Sequence, residues 1–192
     1  MAVRANIYFP SPNAQIKLEG DWKRVQQAID HLAPAVMTGY KRGISYFSNK
    51  LLRIIKQSIA NGGPPTGAWV PLADSTLRTY ASHGWNTSGN PYNRTGLFMN
   101  SIGVYNYGSR VYVGLPSNIR TERGLTLVQL AKVLEFGTRD NGEGEGNEIP
   151  ARPLFRPALQ AAGGNAAIRK VLIKEIRSEL IKYGLKPNQV KW

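Results

Sequence analysis

The chain has no cysteine, only two histidines, and no apolar run long enough to cross a bilayer. Without cysteine there is no disulfide and no thiolate metal site. His31 and His83 fall in different elements and have no second ligand at metal spacing, so zinc and His-based nucleophilic catalysis lack their constellation. Glycine-rich phosphate loops of the G-x-x-x-x-G-K-[ST] and G-x-G-x-x-G kinds are missing too. The opening Met1-Ala2-Val3-Arg4-Ala5-Asn6 lacks the apolar centre of a secretory signal, and a cytosolic origin is expected. Acids are also scarce, 12 against 25 Lys and Arg, leaving a net charge of +13 over 192 residues. That excess predicts attraction to polyanions: nucleic acid, an anionic membrane surface or an acidic protein face.

The charge is segregated along the chain. From His31 to Arg120 there are nine bases and one acid, Asp74; from Thr121 to Glu148 six acids face three bases; after Ile149 nine bases face only Glu175 and Glu179. Basic elements thus flank an acidic stretch, a distribution suited to head-to-tail contacts between copies as well as to a solvated surface. The carboxylates Asp140, Glu143, Glu145 and Glu148 lack the spacing of a calcium loop. Their glycine-rich setting reads as a solvated loop used in partner contacts, and no cofactor or metal is expected.

The periodicity predicts an α+β chain of one domain, with two principal long helices on a small antiparallel sheet. Residues 1–20 read as an extended arm, punctuated by Pro10 and Pro12, with a short strand at 15–19. A helical part covers 21–61. Asp21 caps a first helix through Trp22, Val25, Ile29 and Leu32, which Pro34 should interrupt. A second helix carries the stripe Met37, Tyr40, Ile44, Phe47, Leu51, Ile54 and Ser58, with Arg42, Asn49, Arg53 and Lys56 on the opposite face. A seam this short reads as one side of an ordinary core.

Residues 62–164 then hold a loop to about Asn93 with Trp69, Tyr80, Trp85 and Tyr92, a hairpin around Gly108-Ser109, and a short helix capped by Thr126 through Leu130 and Leu134. Pro157 is placed to enter the first turn of a further helix. Residues 165–192 form the last helix, with Ile168, Leu172, Ile176, Leu180 and Tyr183 on its apolar face, and a tail. Lys170, Lys174 and Arg177 point away from that face, and Gly184 stops the helix.

Three ordered motifs stand out. The first is Trp69-Val70-Pro71-Leu72-Ala73-Asp74-Ser75-Thr76, and the second is Arg94-Thr95-Gly96-Leu97-Phe98-Met99-Asn100-Ser101-Ile102. The third is Leu134-Glu135-Phe136-Gly137-Thr138, a loop, and then Ile149-Pro150-Ala151-Arg152-Pro153-Leu154-Phe155-Arg156-Pro157-Ala158-Leu159. In physical terms, Gly137 permits a sharp helix exit, Glu135 is placed to accept a bidentate bond from Arg152, and Pro153 and Pro157 hold an extended rung. Trp69 and Phe136 offer apolar anchors. Trp69 and Trp85 are also candidate subunit contacts, because aromatic loop residues need burial somewhere.

The set resembles the virion-morphogenesis and tail-completion proteins of long-tailed bacteriophages. The third motif is similar to their E-F-G-T … P-A-R-P-F-x-x-P-A-L pattern, here with a longer acidic loop and with Leu154 beside Phe155. The resemblance covers residues 69 to 159. It makes Glu135, Phe136, Gly137, Thr138, Arg152, Pro153, Phe155 and Pro157 motif residues. It implies a non-enzymatic neck protein in the virion, assembled in the host cytoplasm as a ring, commonly of six copies. Its implied partners are a connector or adaptor and a tail terminator or tube, with genomic DNA passing through an axial channel. Arg42, Arg53 and Lys56, or Lys170, Lys174 and Arg177, would line that channel or meet acidic partners. Two other readings remain open to the sequence: a sequence-independent DNA-binding module, which shares the charge but lacks a reading helix, and a phage enzyme, which lacks an active-site constellation.

Overall fold

A computed structural model of the chain describes residues 5–8, 15–18, 22–108, 110–122, 124–138 and 148–184. The fold is α+β. Its elements are β1 (Ala5–Tyr8), β2 (Gln15–Leu18), α1 (Trp22–Ala60), α2 (Asp74–Ser82), α3 (Leu97–Ser101), β3 (Gly103–Tyr107), β4 (Arg110–Gly114), α4 (Leu127–Phe136), α5 (Phe155–Ala161) and α6 (Gly164–Lys182). No helix among the described residues is long and apolar enough to cross a membrane. The chain groups into two compact units, one of Met1–Gly43 with Lys170–Trp192 and one of Ile44–Arg169.

In the first unit β1 pairs antiparallel with β2, Ala5 opposite Leu18 and Tyr8 opposite Gln15. The expected break at Pro34 does not occur, and α1 runs through it. Proline forfeits one helical bond and crowds the preceding turn, a cost of about 3 kcal/mol in a helix interior. The turns that follow are held by tertiary contact: Ala35 is buried, and Gly39 and Gly43 bring α1 against the α6 backbone. A Cβ on Gly39 would stand 2.5 Å from the Cα of Ile176. That contact also corrects the start of the expected stripe, which from Ile44 through Phe47, Leu51 and Ile54 to Ser58 is buried or half-buried as predicted. Met37 is 55% exposed and Tyr40 37%, while the buried row is Ala35, Gly39, Gly43 and Phe47, spaced by four. Close approach of two helices selects for small side chains over apolar ones.

Lower on α6, Leu172 and Ile176 are half-buried and Leu180 is buried, as the apolar face predicts, but Tyr183 is exposed. Tyr183 stacks on His31 at 4.9 Å instead. Beside Leu180 the Glu179 carboxylate is buried and accepts from Arg42 and, at 2.7 Å, from Lys182. These cations hold its pKa below the usual carboxylate range, the Lys182 hydrogen bond foremost and partly opposed by desolvation.

The second unit carries the larger core. Ile55 and Ile59 of α1, Tyr92, Ile102, Leu127 and Leu154 are fully buried, with Trp69 and Phe98 packed among them. Each such side chain contributes about 1.5–3 kcal/mol by leaving water. The hairpin forms as the alternation predicts, with Tyr107 opposite Arg110 across a two-residue turn whose Gly108 takes φ +59°. Thr126 caps α4 in a reciprocal box with Gln129, and Pro157 sits in the first turn of α5. Within the stretch expected to be loop, Asp74–Ser82 forms α2. Its half-buried side is only Thr76, Leu77 and Tyr80, too short a row to stand out in the sequence.

Candidate functional site

The three motifs meet in the second unit, around the chain that leads from α4 into α5. Trp69 is buried in the core, packed on Tyr92 at 4.7 Å between ring centres, and its Nε1 donates to the Pro153 carbonyl at 2.9 Å. It is a fold anchor, which corrects its expected place as a subunit contact: an indole with its N–H paired inside loses nothing by burial. Tyr92 is buried too and donates to the Arg152 carbonyl at 2.6 Å. Burial raises its pKa, helped by the nearby Glu135 and opposed by Arg152. Asn90 supports it from below, accepting the Tyr92 N–H at 3.0 Å while donating to the Ile59 carbonyl.

Arg152 and Glu135 do not pair as expected. Arg152 is 4% exposed and directs its guanidinium at three carbonyls: Val70 at 2.8 Å, Pro71 at 3.0 Å and Pro150 at 3.4 Å. Burial lowers its pKa, and the neighbouring Tyr92 and Tyr80 act the other way. The Glu135 carboxylate instead accepts the backbone N–H groups of Leu154 at 2.7 Å, Phe155 at 3.1 Å and Arg156 at 3.3 Å. Those are the unpaired donors at the start of α5, where a negative charge is favoured by the helix dipole. Each ion therefore meets backbone of the sign it needs. Gly137 then turns the chain at φ +72°, with Ile149, Pro150 and Ala151 so close that a Cβ would strike them. Thr138 bridges to Ile149 through both its N–H and its hydroxyl.

Phe136 departs from its expected role as an apolar anchor. It is 78% exposed, because α4 turns Leu127, Ala131 and Leu134 inward and leaves Phe136 on another side. Phe155 is half-buried against the core, and Pro153 lies at the surface with its carbonyl engaged by Trp69.

Between α2 and α4 lies a groove of about 540 Å³. Its lining includes Ser75, Tyr80, Trp85, Arg94, Leu130, exposed Glu148 and Ile149. Trp85 is half-buried there. His83 stacks on it at 4.4 Å, Tyr80 meets it edge-on at 5.6 Å, and the Arg94 guanidinium sits 4.1 Å from its ring centre. Arg94 also makes a loose 3.9 Å ion pair with Glu122. Asp140, Glu143 and Glu145 lie outside the described residues.

The expected basic faces are only partly free. Arg42 is engaged by Glu179, Lys56 is half-buried, and Arg177 is half-buried with its Nε enclosed and unpaired. Arg53, Lys170 and Lys174 are exposed. Helix faces drawn at about 100° per residue do not show which charges a neighbouring helix covers. Asn90 is a site residue that pattern reading did not single out, Tyr92 stood only as a loop aromatic, and Arg94 only as the first residue of the second motif. The stretch between Gly89 and Gly96 is too polar to look like core. Among the described residues no three His, Asp or Glu side chains gather as a metal site would require. In comparison with known proteins, no family model matches the chain, and no curated protein or solved structure matches it.

Proposed function

We propose that this chain is a structural protein of a tailed-bacteriophage particle, acting at the head–tail junction as a ring that bridges connector or adaptor and tail around a DNA channel. The observation that carries the reading is the convergence of the three motifs. Arg152 and Pro153 of the third bind Val70, Pro71 and Trp69 of the first, while Phe98 and Ile102 of the second pack in the same core. Residues matched to a family pattern by chance have no reason to be one another's hydrogen-bond partners across more than eighty positions. Their mutual dependence supports a resemblance at the level of a built module. The net charge of +13 supports a place beside DNA or an acidic partner, with phosphate attraction and no base reading.

The role is one of binding and assembly. Joining two different surfaces needs an element that presents both, and contacts below about 1,000 Å² rarely persist alone. The ring therefore forms stably only on its partners. The test is a phage lacking the gene for this chain. Its lysate should contain heads without tails, unjoined tails or tails of faulty terminal structure in electron micrographs, and purified wild-type particles should contain the protein. Normal joined particles from the mutant, or wild-type particles without the protein, overturn the proposal.

A further inference from the structure

The β3–β4 hairpin gathers aromatic side chains on one side. Its register sets Tyr105 opposite Tyr112 and Tyr107 opposite Arg110, so these four share a face, with the paired glycines Gly103 and Gly114 at its base. The other face carries Val104, Asn106, Val111 and Val113, and Val113 packs against the core. The aromatic face is therefore turned outward. Tyr107 is 62% exposed and Tyr112 49%, with Arg110 exposed beside them.

The two glycines decide how the rings lie. A Cβ on Gly103 would meet Cζ, Oη and Cε2 of Tyr105 at 3.2, 3.2 and 3.3 Å. One on Gly114 would meet Oη, Cε1 and Cζ of Tyr112 at 2.8, 2.9 and 2.9 Å. Nearly equal distances to neighbouring bonded atoms mean that each ring turns its face, not its edge, to the glycine. Such a Cβ would point out of the sheet, so both rings lie parallel to it. Tyr105 is fixed there by its hydroxyl, which donates to the Ser101 carbonyl at 2.7 Å. Tyr112 keeps one ring face on the backbone and the other toward solvent.

From Ser75 to Thr121 the sequence has four arginines and no acid, so the hairpin offers a cation and no carboxylate. We infer that this face binds single-stranded nucleic acid without sequence preference, bases stacking on Tyr112 and Tyr107 while Arg110 meets the phosphates. Every base has a π-face, which makes aromatic stacking beside a cation tolerant of sequence. Duplex DNA offers the same phosphates but keeps its base faces inside the stack. An acidic protein surface would engage Arg110 and leave the ring faces without a flat partner. Only a single strand uses both features. The site belongs to this chain's own surface and does not depend on the virion reading.

The full chain is titrated into labelled oligothymidylate of about 12 nucleotides and into duplex DNA of equal length, at one salt concentration, with anisotropy as the readout. The single strand should bind about tenfold more tightly than the duplex. Tyr107→Thr combined with Tyr112→Thr should abolish that preference and leave duplex binding as it was. Phe at both positions should retain the preference, and Tyr46→Thr, which removes an exposed tyrosine of α1, should change nothing. Arg110→Gln should lower the salt slope of single-strand binding by about 0.7. On the native chain, a bromouracil-substituted oligonucleotide should crosslink on irradiation within Gly103–Gly114, a result that requires no variant to fold. Duplex bound as tightly as single strand, a preference that survives the double Thr variant, or crosslinks confined to other elements overturns the inference. So does polyglutamate competing as well as oligothymidylate, which would assign the face to an acidic protein.

Discussion

Replacing Arg152 by Met keeps most of the length of the side chain and removes every donor. The guanidinium makes two good bonds to the Val70 and Pro71 carbonyls and one long bond to that of Pro150. Bonds to a charged group contribute about 1.5–3 kcal/mol each, so the gross loss is about 3–6 kcal/mol, the long bond counting little. Two effects reduce it. Val70, Pro71 and Pro150 lie at the surface, so water reaches part of what Arg152 leaves. Met also escapes the desolvation cost of burying a charge, which for some buried ions offsets the whole gain. The expected net loss is about 2–4 kcal/mol. At a urea slope of about 2 kcal/mol per molar, the midpoint falls by about 1–2 M. Fluorescence of Trp69, packed on Tyr92 in the same unit, reports the transition. Arg152→Lys should fall between, since one compact ammonium cannot reach three separate carbonyls. An Arg152→Met stability within about 0.5 kcal/mol of the native one would refute a stabilising role for these bonds and mean that desolvation cancels them.

Gly39→Ala should destabilise the first unit by about 1–3 kcal/mol: the helix-propensity gain of about 1 kcal/mol loses to backbone overlap with Ile176, and a raised melting temperature would contradict this. Glu179 has a depressed folded pKa, so its contribution is present above the unfolded value near 4.3 and disappears as pH falls through the lower folded value. Glu179→Gln should therefore flatten the acid side of the stability profile in melts from pH 7 to 3, and an unchanged slope counts against the Arg42–Glu179–Lys182 cluster. Glu135→Gln should cost about 1–2 kcal/mol, because an amide oxygen accepts fewer of the α5 N–H groups and lacks the charge; a neutral result in urea melts speaks against the cap. The isolated chain should bind duplex DNA without sequence preference, at about 10⁻⁴ to 10⁻⁶ M near physiological salt and more weakly as salt rises. Nanomolar affinity for one sequence favours the DNA-module reading.

Local rules were sufficient wherever one residue or one short repeat decides the backbone. Thr126 announces the start of α4, Gly108-Ser109 the hairpin turn, Gly184 the end of α6, and alternation the strands β2, β3 and β4. These depend on neighbours a few positions away, and sequence carries that information directly. Pairings between distant residues were a different matter. Opposite charges on Glu135 and Arg152 invite a salt bridge, yet backbone N–H groups and carbonyls, invisible in side-chain letters, took both ions. Gly39 and Gly43 look like weak points in a helix, and Pro34 like its end. Only the approach of α6 turns the small residues into the contact and carries the helix through the proline. Trp69 and Phe136 are both aromatic members of the motifs, but one is buried and the other exposed. Their hydrophobicity is legible from the sequence, whereas the direction each faces depends on where distant segments pack.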